Sequence, residues 1–201
     1  MKTTPLKAAL LTTFLAGAVT NAYAEPEKFV VDDEHFSMAF EVMHIGYAPV
    51  IGMFRDIEGS FEFDEATNEL SSGQLVFRSD SVFTNHEKRD EHLRKPDFLD
   101  SEQYPEVRFE LTDFEKTGDN TGIVTGDLTL LGKTRPVEVD VTLNKSDKYP
   151  IGHKDFTLGI SAETTIRRSE WGMTYGLDPA LVGDEVKLRF GFEAIKDSGF
   201  F

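Results

Sequence analysis

The sequence predicts an all-β protein: an eight-stranded antiparallel barrel, closed on itself, with one short helical insertion. Three observations carry that prediction. Apolar and polar residues alternate with period two over most of the chain, the pattern of strands that bury one face. Turn-forming clusters such as Asp64–Asn68 and Gly118-Asp119-Asn120 separate the alternating runs, so neighbouring strands pair through short connections. Several runs reach about ten residues, beyond the usual five or six, and no terminal run carries the prolines or bulges that protect an open edge. A sandwich would leave such edges bare, whereas a closed barrel has none.

Residues 1–24 read as a cleaved secretory signal. Lys2 and Lys7 form a basic start, Ala8 to Val19 an apolar stretch, and Ala22-Tyr23-Ala24 a small-x-small cleavage site. The apolar stretch is shorter than the roughly 20 residues a spanning helix needs, and no cysteine follows to carry a lipid, so no stable membrane anchor is expected. Residues 25–201 then form a single barrel domain exported to a bacterial periplasm.

The alternating runs follow in order. Phe36, Met38, Phe40 and Val42 share one face, as do Ile57, Gly59, Phe61 and Phe63, then Leu75 and Phe77. After the non-alternating stretch come Val107, Phe109 and Leu111; Val124, Gly126, Leu128 and Leu130; and Val137, Val139, Val141 and Leu143. Phe156, Leu158, Ile160 and Ala162 form the seventh run, and Val186, Leu188, Phe190 and Phe192 the eighth. The inward set is rich in Phe and nearly free of charge, so any cavity inside is oily. A barrel of this size has room for one small ligand.

Two segments break the alternation. Asn85 to Lys95 reads as a short helix, with Asn85 as its cap, Glu87 early, Arg94 and Lys95 late, and Pro96 as its stop. Arg167 to Gly183 holds the sole tryptophan, Trp171, with Met173, Tyr175 and three glycines, and reads as a loop packed on the barrel rim. Trp171, Met173 and Tyr175 either line a mouth there or plug the barrel end.

Composition excludes several functions. With 21 basic and 36 acidic residues the net charge is −15, and loss of Lys2 and Lys7 leaves 19 against 36, or −17. A surface this acidic repels nucleic acid and anionic lipid. The absence of cysteine rules out disulfides, thiolate metal sites and cysteine nucleophiles. There is no Gly-x-Ser-x-Gly elbow and no phosphate-binding glycine loop. His86 and Asp90 share a helical face, but His92 lies about 240° round from His86, so no metal site is expected there. Arg89, Asp90 and Arg94 suit ion pairs or ties from helix to barrel, with Arg89 also placed to anchor a ligand's polar end. His44 reads as a hydrogen-bonded rim residue.

With these residues in view, the chain resembles the YceI-like family, exported bacterial lipocalin-like proteins also called polyisoprenoid-binding proteins. The resemblance rests on Asp32 to Gly46 (D-x-x-H-F-S-M-A-F-E-V-M-H-I-G), Gly52 to Asp64, and the R-D-E-H-L-R-K-P-D-F-L-D and Y-P-E-V-R-F pieces between Arg89 and Phe109. Gly126 to Val137, Ile166 to Met173 and Leu181 to Val186 complete the set. It implies an extended lipocalin-like barrel around a long apolar channel for a polyisoprenoid or similar amphipath, and it allows a homodimer. Trp171 stands where the family more often has Phe, and its bulk has the size to shorten or reshape that channel. Glu34 stands where a small residue is common.

The combined reading is a periplasmic carrier of a quinone or polyprenyl lipid, with no cofactor beyond that bound molecule and no catalytic or metal residues. Phe36, Phe40, Phe61, Phe77, Phe109, Leu128, Val139, Ile160 and Phe190 are expected to line the channel. Arg89, Asp90, His92, Arg168, Trp171 and Tyr175 are expected at the head-group end. Two alternatives stand beside it. One is an enzyme acting on a lipid-like substrate, with His44 or His92 as base and a carboxylate converging on it inside the cavity. The other is an acidic stress or interaction protein whose barrel is filled by its own side chains.

Overall fold

A computed structural model describes residues 25–178 and 180–199; the leader assigned to residues 1–24 lies outside them. Ten strand segments follow one another: β1 (Glu27–His44), β2 (Ala48–Phe54), β3 (Ile57–Asp64), β4 (Glu69–Arg78), β5 (Val82–Phe83), β6 (Glu106–Lys116), β7 (Thr121–Leu130), β8 (Lys133–Lys148), β9 (Phe156–Arg167) and β10 (Val182–Lys196). Each pairs antiparallel with its neighbours in the order β10-β9-β8-β7-β6-β4-β3-β1-β2-β5, and β10 pairs back onto β1.

The ten segments make eight barrel strands, because two of the eight are broken. β3 pairs with the start of β1 and β2 with its end, so β2 and β3 form one strand interrupted at Arg55-Asp56. β5 likewise continues β4 beyond a 3-10 turn at Ser79–Ser81, pairing with β2 where β4 pairs with β3. One hydroxyl joins the two breaks. Ser81 Oγ accepts from the Arg55 and Asp56 amides at 3.1 and 3.2 Å and donates to the Arg78 carbonyl at 2.6 Å, satisfying backbone groups that the interrupted ladder would leave open.

Sequence periodicity missed β2 because Pro49 and Gly52 disguise it, and missed the first half of β1 because a bulge shifts its phase. Asp32 to His35 of β1 oppose the single residue Glu193 of β10, since Val31 pairs with Ala194 and Phe36 with Phe192. On the outside of this bulge His35 Nδ1 lies 2.7 Å from Asp32 Oδ2 and 3.9 Å from Glu193 Oε2. The Asp32 hydrogen bond holds the His35 pKa above its ordinary 6.5, against the opposing effect of desolvation. A raised folded-state pKa means that protonated His35 favours the fold. Its contribution is full below the unfolded pKa of about 6.5 and is lost as pH rises through the folded value. NMR titration is expected to place the His35 midpoint above 6.5, and in Asp32→Asn back near the unperturbed value; an equal midpoint in both proteins would contradict this.

Packing divides the interior. At the end away from the insertion, Phe29 is fully buried, stacked on Phe61 at 5.8 Å and set edge-on to Phe63 and Phe156. A ladder of tilted rings climbs the middle of the wall: Phe192 to Phe36, Phe36 to Phe77, Phe77 to Phe54 and Phe190, and Phe54 to Phe40. At the other end Trp171, Val82, Phe98, Leu99, Leu128, Leu130, Ile166 and Met173 pack together beneath the two non-strand segments. Phe40 lies so close over Gly52 that a Cβ there would sit 2.2 Å from the ring, which is why the strand β2 carries glycine at that point.

Candidate functional site

The helix α1 (Glu87–Leu93) is shorter than the Asn85–Lys95 span that its composition suggests, and its cap is His86. Asn85 instead takes a left-handed conformation, φ 61°, to turn the chain into the helix. The His86 ring accepts from the Arg89 amide at 3.4 Å. Buried Asp90 is turned back on Thr84, just after β5, where it accepts from the Thr84 amide at 2.8 Å and from the Thr84 hydroxyl. Arg89 donates from Nε to the same hydroxyl and from Nη2 to the Thr84 carbonyl, both at 2.7 Å. Arg94 reaches the carbonyls of Asp80 and Val82. These charges fasten the insertion to the barrel, and its apolar residues Leu93, Phe98 and Leu99 then seal it into the core.

The loop after β9 is held from inside. Arg168 is 2% exposed and spends four of its five N–H donors on carbonyls: Nε on Gly183 at 2.7 Å, Nη1 on Met173 at 2.7 Å, and Nη2 on Tyr175 and Val182 at 2.9 Å each. Burial lowers its pKa below the ordinary guanidinium range, opposed by the charge of Asp184, which itself accepts from the Ser169 amide and hydroxyl at 2.9 Å. Arg167 points outward to Glu185 at 3.7 Å. Trp171 ends the 3-10 turn Arg168–Trp171, is 1% exposed, and donates from its indole to the Leu128 carbonyl at 3.0 Å.

Between these supports lies a cavity of about 550 Å³, within the usual range for ligand sites. Seven of the nine predicted channel residues border it: Phe40, Phe77, Phe109, Leu128, Val139, Ile160 and Phe190. Phe61 borders a second, smaller chamber of about 140 Å³ toward the far end, which shares Leu75, Phe109, Val124, Val141, Ile160 and Phe192 with the first. Phe36 borders neither, being held in the ring ladder between Phe77 and Phe192.

The predicted head-group residues divide as well. Arg89, His92, Arg168 and Tyr175 border the cavity. Asp90 does not, because Thr84 takes its carboxylate, and Trp171 does not, because it packs beneath the loop behind the lining residues Leu128 and Leu130. Arg168 reaches the cavity wall as a clamp whose fork is engaged by backbone. The mouth is closed on one side by three rings, with His92 edge-on to Phe98 at 5.0 Å and to Tyr175 at 5.1 Å, and Phe98 5.2 Å from Tyr175. This trio ties the insertion to the loop. Sequence reasoning missed Phe98, although an aromatic two residues after a helix-stopping proline was a signal that the insertion carries its own apolar anchor.

A YceI-like domain is matched over residues 29–194, nearly the whole of the described chain. The chain belongs to the YceI-like family. A UPF0312 protein of Pseudomonas savastanoi pv. phaseolicola is 34% identical over 194 residues, covering 95% of this chain and 98% of that protein. The YceI-like barrel also matches the crystal structure of BcnA from Burkholderia cenocepacia with a TM-score of 0.72 at 24% identity, over 81% of this chain and 98% of the other. A polyisoprenoid binding domain from Saccharophagus degradans, implicated in plant cell wall breakdown, matches with a TM-score of 0.63 at 13% identity, over 84% and 98% of the two chains. Both are likenesses of fold.

Within this YceI-like site one histidine–carboxylate pair forms at the mouth, His92 Nε2 to Asp97 Oδ2 at 2.9 Å. It sits on the rim, the two side chains 41% and 51% exposed, and Asp97 does not border the cavity. His44 borders the same mouth from the opposite side. His86, Asp90 and His92 each have a separate partner and do not converge. Among the described residues the group that gathers three such ligand atoms is Asp32, His35 and Glu193, on the outer wall at the β1 bulge.

Proposed function

We propose that this protein is a periplasmic carrier that takes up one long-chain amphipathic molecule, an isoprenoid such as a quinone or polyprenyl lipid, and shields its chain from water. The observation that carries the reading is the unfilled apolar cavity of about 550 Å³, whose polar lining gathers at one mouth. A self-filled barrel would not leave that volume open. Membership of the YceI-like family supports the reading, as does the likeness of fold to a domain described as polyisoprenoid-binding. The leader-like residues 1–24 support export.

The energetics suit such a ligand. Burial of each CH₂ contributes about 0.8 kcal/mol, so one five-carbon unit contributes roughly 4 kcal/mol, and about one to four units offset an association cost of about 4–15 kcal/mol. Specificity then falls to the mouth. Arg89 borders the cavity and has donors left beyond its two bonds to Thr84. A bond from them to an anionic head group is worth about 1.5–3 kcal/mol.

Arg89→Ala is therefore expected to weaken retention of a polyprenyl phosphate roughly 10- to 100-fold while changing retention of the uncharged polyprenol by less than about threefold. Loss that is equal for both ligands would make Arg89 a structural tie and nothing more.

A further inference from the structure

The large apolar side chains that the fold leaves exposed are gathered in one place. Of nine such residues among those described, seven lie on two connected segments at the cavity mouth: Met43, Ile45, Tyr47, Ile51 and Met53 on the first hairpin, of which Met43 and Ile45 border the cavity, and Tyr175 and Leu181 on the facing loop. Tyr47 is 90% exposed and Ile51 61%. The Ile45 amide donates to the Leu181 carbonyl at 2.9 Å, so hairpin and loop form one continuous rim. Met43, Ile45, Tyr175 and Leu181 border the cavity as well, which makes the apolar rim an extension of the apolar interior.

Charge marks the same face. Val42–Phe54 and Trp171–Leu177 contain no Asp, Glu, Lys or Arg, in a chain whose net charge is −15. Its nearest acidic residues are Glu41, opposite Ile51, and Asp178 and Asp184 on either side of Leu181, so the hairpin tip and the Trp171–Leu177 stretch are where an acidic molecule brings least of its own charge against a surface. An exposed apolar patch around the entrance of a soluble barrel has a chemical meaning beyond solubility.

We propose that this rim docks the barrel on a neutral, zwitterionic lipid surface, with the cavity mouth set against the bilayer interface. For its purpose this rests on the carrier reading, since an isoprenoid chain entering the cavity comes out of a bilayer through that mouth. The backbone limits the depth. β2 pairs with β5 only at Met53 and Phe54, so Ala48–Gly52 keep one edge unpaired among the described residues. Such groups cannot enter hydrocarbon without partners, whereas the head-group layer supplies them. Tyr47 at the tip is amphipathic and suits that layer.

The experiment is flotation of the full mature chain with vesicles of equal parts phosphatidylcholine and phosphatidylethanolamine. The native protein is expected to float with the vesicles, and less so when phosphatidylglycerol is added at low salt. Tyr47→Ser/Ile51→Ser, at two outward positions that do not border the cavity, is expected to weaken vesicle partition about tenfold or more while retaining a preloaded isoprenoid as well as the native chain. Native protein that stays in solution, or a variant that floats equally well, overturns the proposal. So does native protein that self-associates in sedimentation runs and does not float while the variant is monomeric, because the rim's occupant is then a second copy. Flotation without chain uptake would sink the carrier reading alone, and chain uptake without flotation the docking proposal alone.

Discussion

Arg168→Met is expected to lower the melting temperature by on the order of 10 °C and to release the loop that borders the cavity mouth. The guanidinium is buried and donates to four carbonyls contributed by Met173, Tyr175, Val182 and Gly183, so a single side chain closes a turn that has no strand partner of its own. Hydrogen bonds from a charged donor are each worth about 1.5–3 kcal/mol, and removal of the donor leaves the acceptors to find water by opening the loop. A loss of at least about 3 kcal/mol follows, and at roughly 2–4 °C per kcal/mol for a domain of this size it is readily seen. Trp171 reports on the same event. It is the sole tryptophan and is 1% exposed, so its emission in the variant should shift to the red toward that of a solvated indole. Retention of a preloaded chain should fall with it. A melting temperature within about 2 °C of the native protein, with unchanged emission, would show that the loop is held by its packing instead.

Val141→Trp is expected to separate long ligands from short ones. Val141 borders both the main cavity and the smaller chamber beyond it, at the waist where Leu75, Phe109, Val124, Ile160 and Phe192 also meet. An indole at the waist occupies space that a long chain would use. Displacement of about four CH₂ units from burial costs roughly 3 kcal/mol, or about a hundredfold in affinity. A chain short enough to stay above the waist should bind within about threefold of its native affinity. The new ring enters open volume, so stability should change by less than about 1.5 kcal/mol, short of the usual overpacking penalty. Equal losses for short and long chains would mean that the two chambers do not act as one channel.

Much of the barrel was legible in sequence because period-two alternation is a direct imprint of a two-faced strand. The eight runs from Phe36 to Phe192 correspond to the eight barrel strands, and the closing pair β1–β10 follows from the lack of a protected edge. Where backbone irregularity enters, the imprint fails. The β1 bulge at Asp32–His35 put the first half of that strand out of phase, and the paired breaks at Arg55-Asp56 and Ser79–Ser81 are fixed by one serine hydroxyl that no periodicity reveals. Seven of the nine residues expected along the channel border the cavity for the same reason that the strands could be read: an inward position in a barrel borders whatever the barrel encloses. Phe36 and Phe61 depart from this because each packs against rings from other strands, Phe36 against Phe77 of β4 and Phe192 of β10, and Phe61 against Phe29 of β1, pairings that no local spacing reveals.

The mouth was harder to read because its charged side chains have alternative partners close by. Nothing in the spacing of Asp90 and Thr84 announces that the carboxylate turns back onto the residue just after β5, nor that Arg168 finds four carbonyls and no carboxylate. The apolar rim escaped attention for a different reason. Ile51 and Met53 lie on the outward face of a strand that Pro49 and Gly52 conceal, and Tyr47 in the turn before it, so their exposure emerges only once β2 is seen beside β1.

The central claim is that the cavity carries a long amphipathic chain. Native mass spectrometry of the protein isolated from its own cells, followed by solvent extraction and identification of the extract, is the direct test. The expected result is one molecule per barrel, released by organic solvent, with an isoprenoid or comparably long apolar chain and a single polar end. A barrel that comes out empty, and that binds neither added quinone nor polyprenyl phosphate, would contradict it.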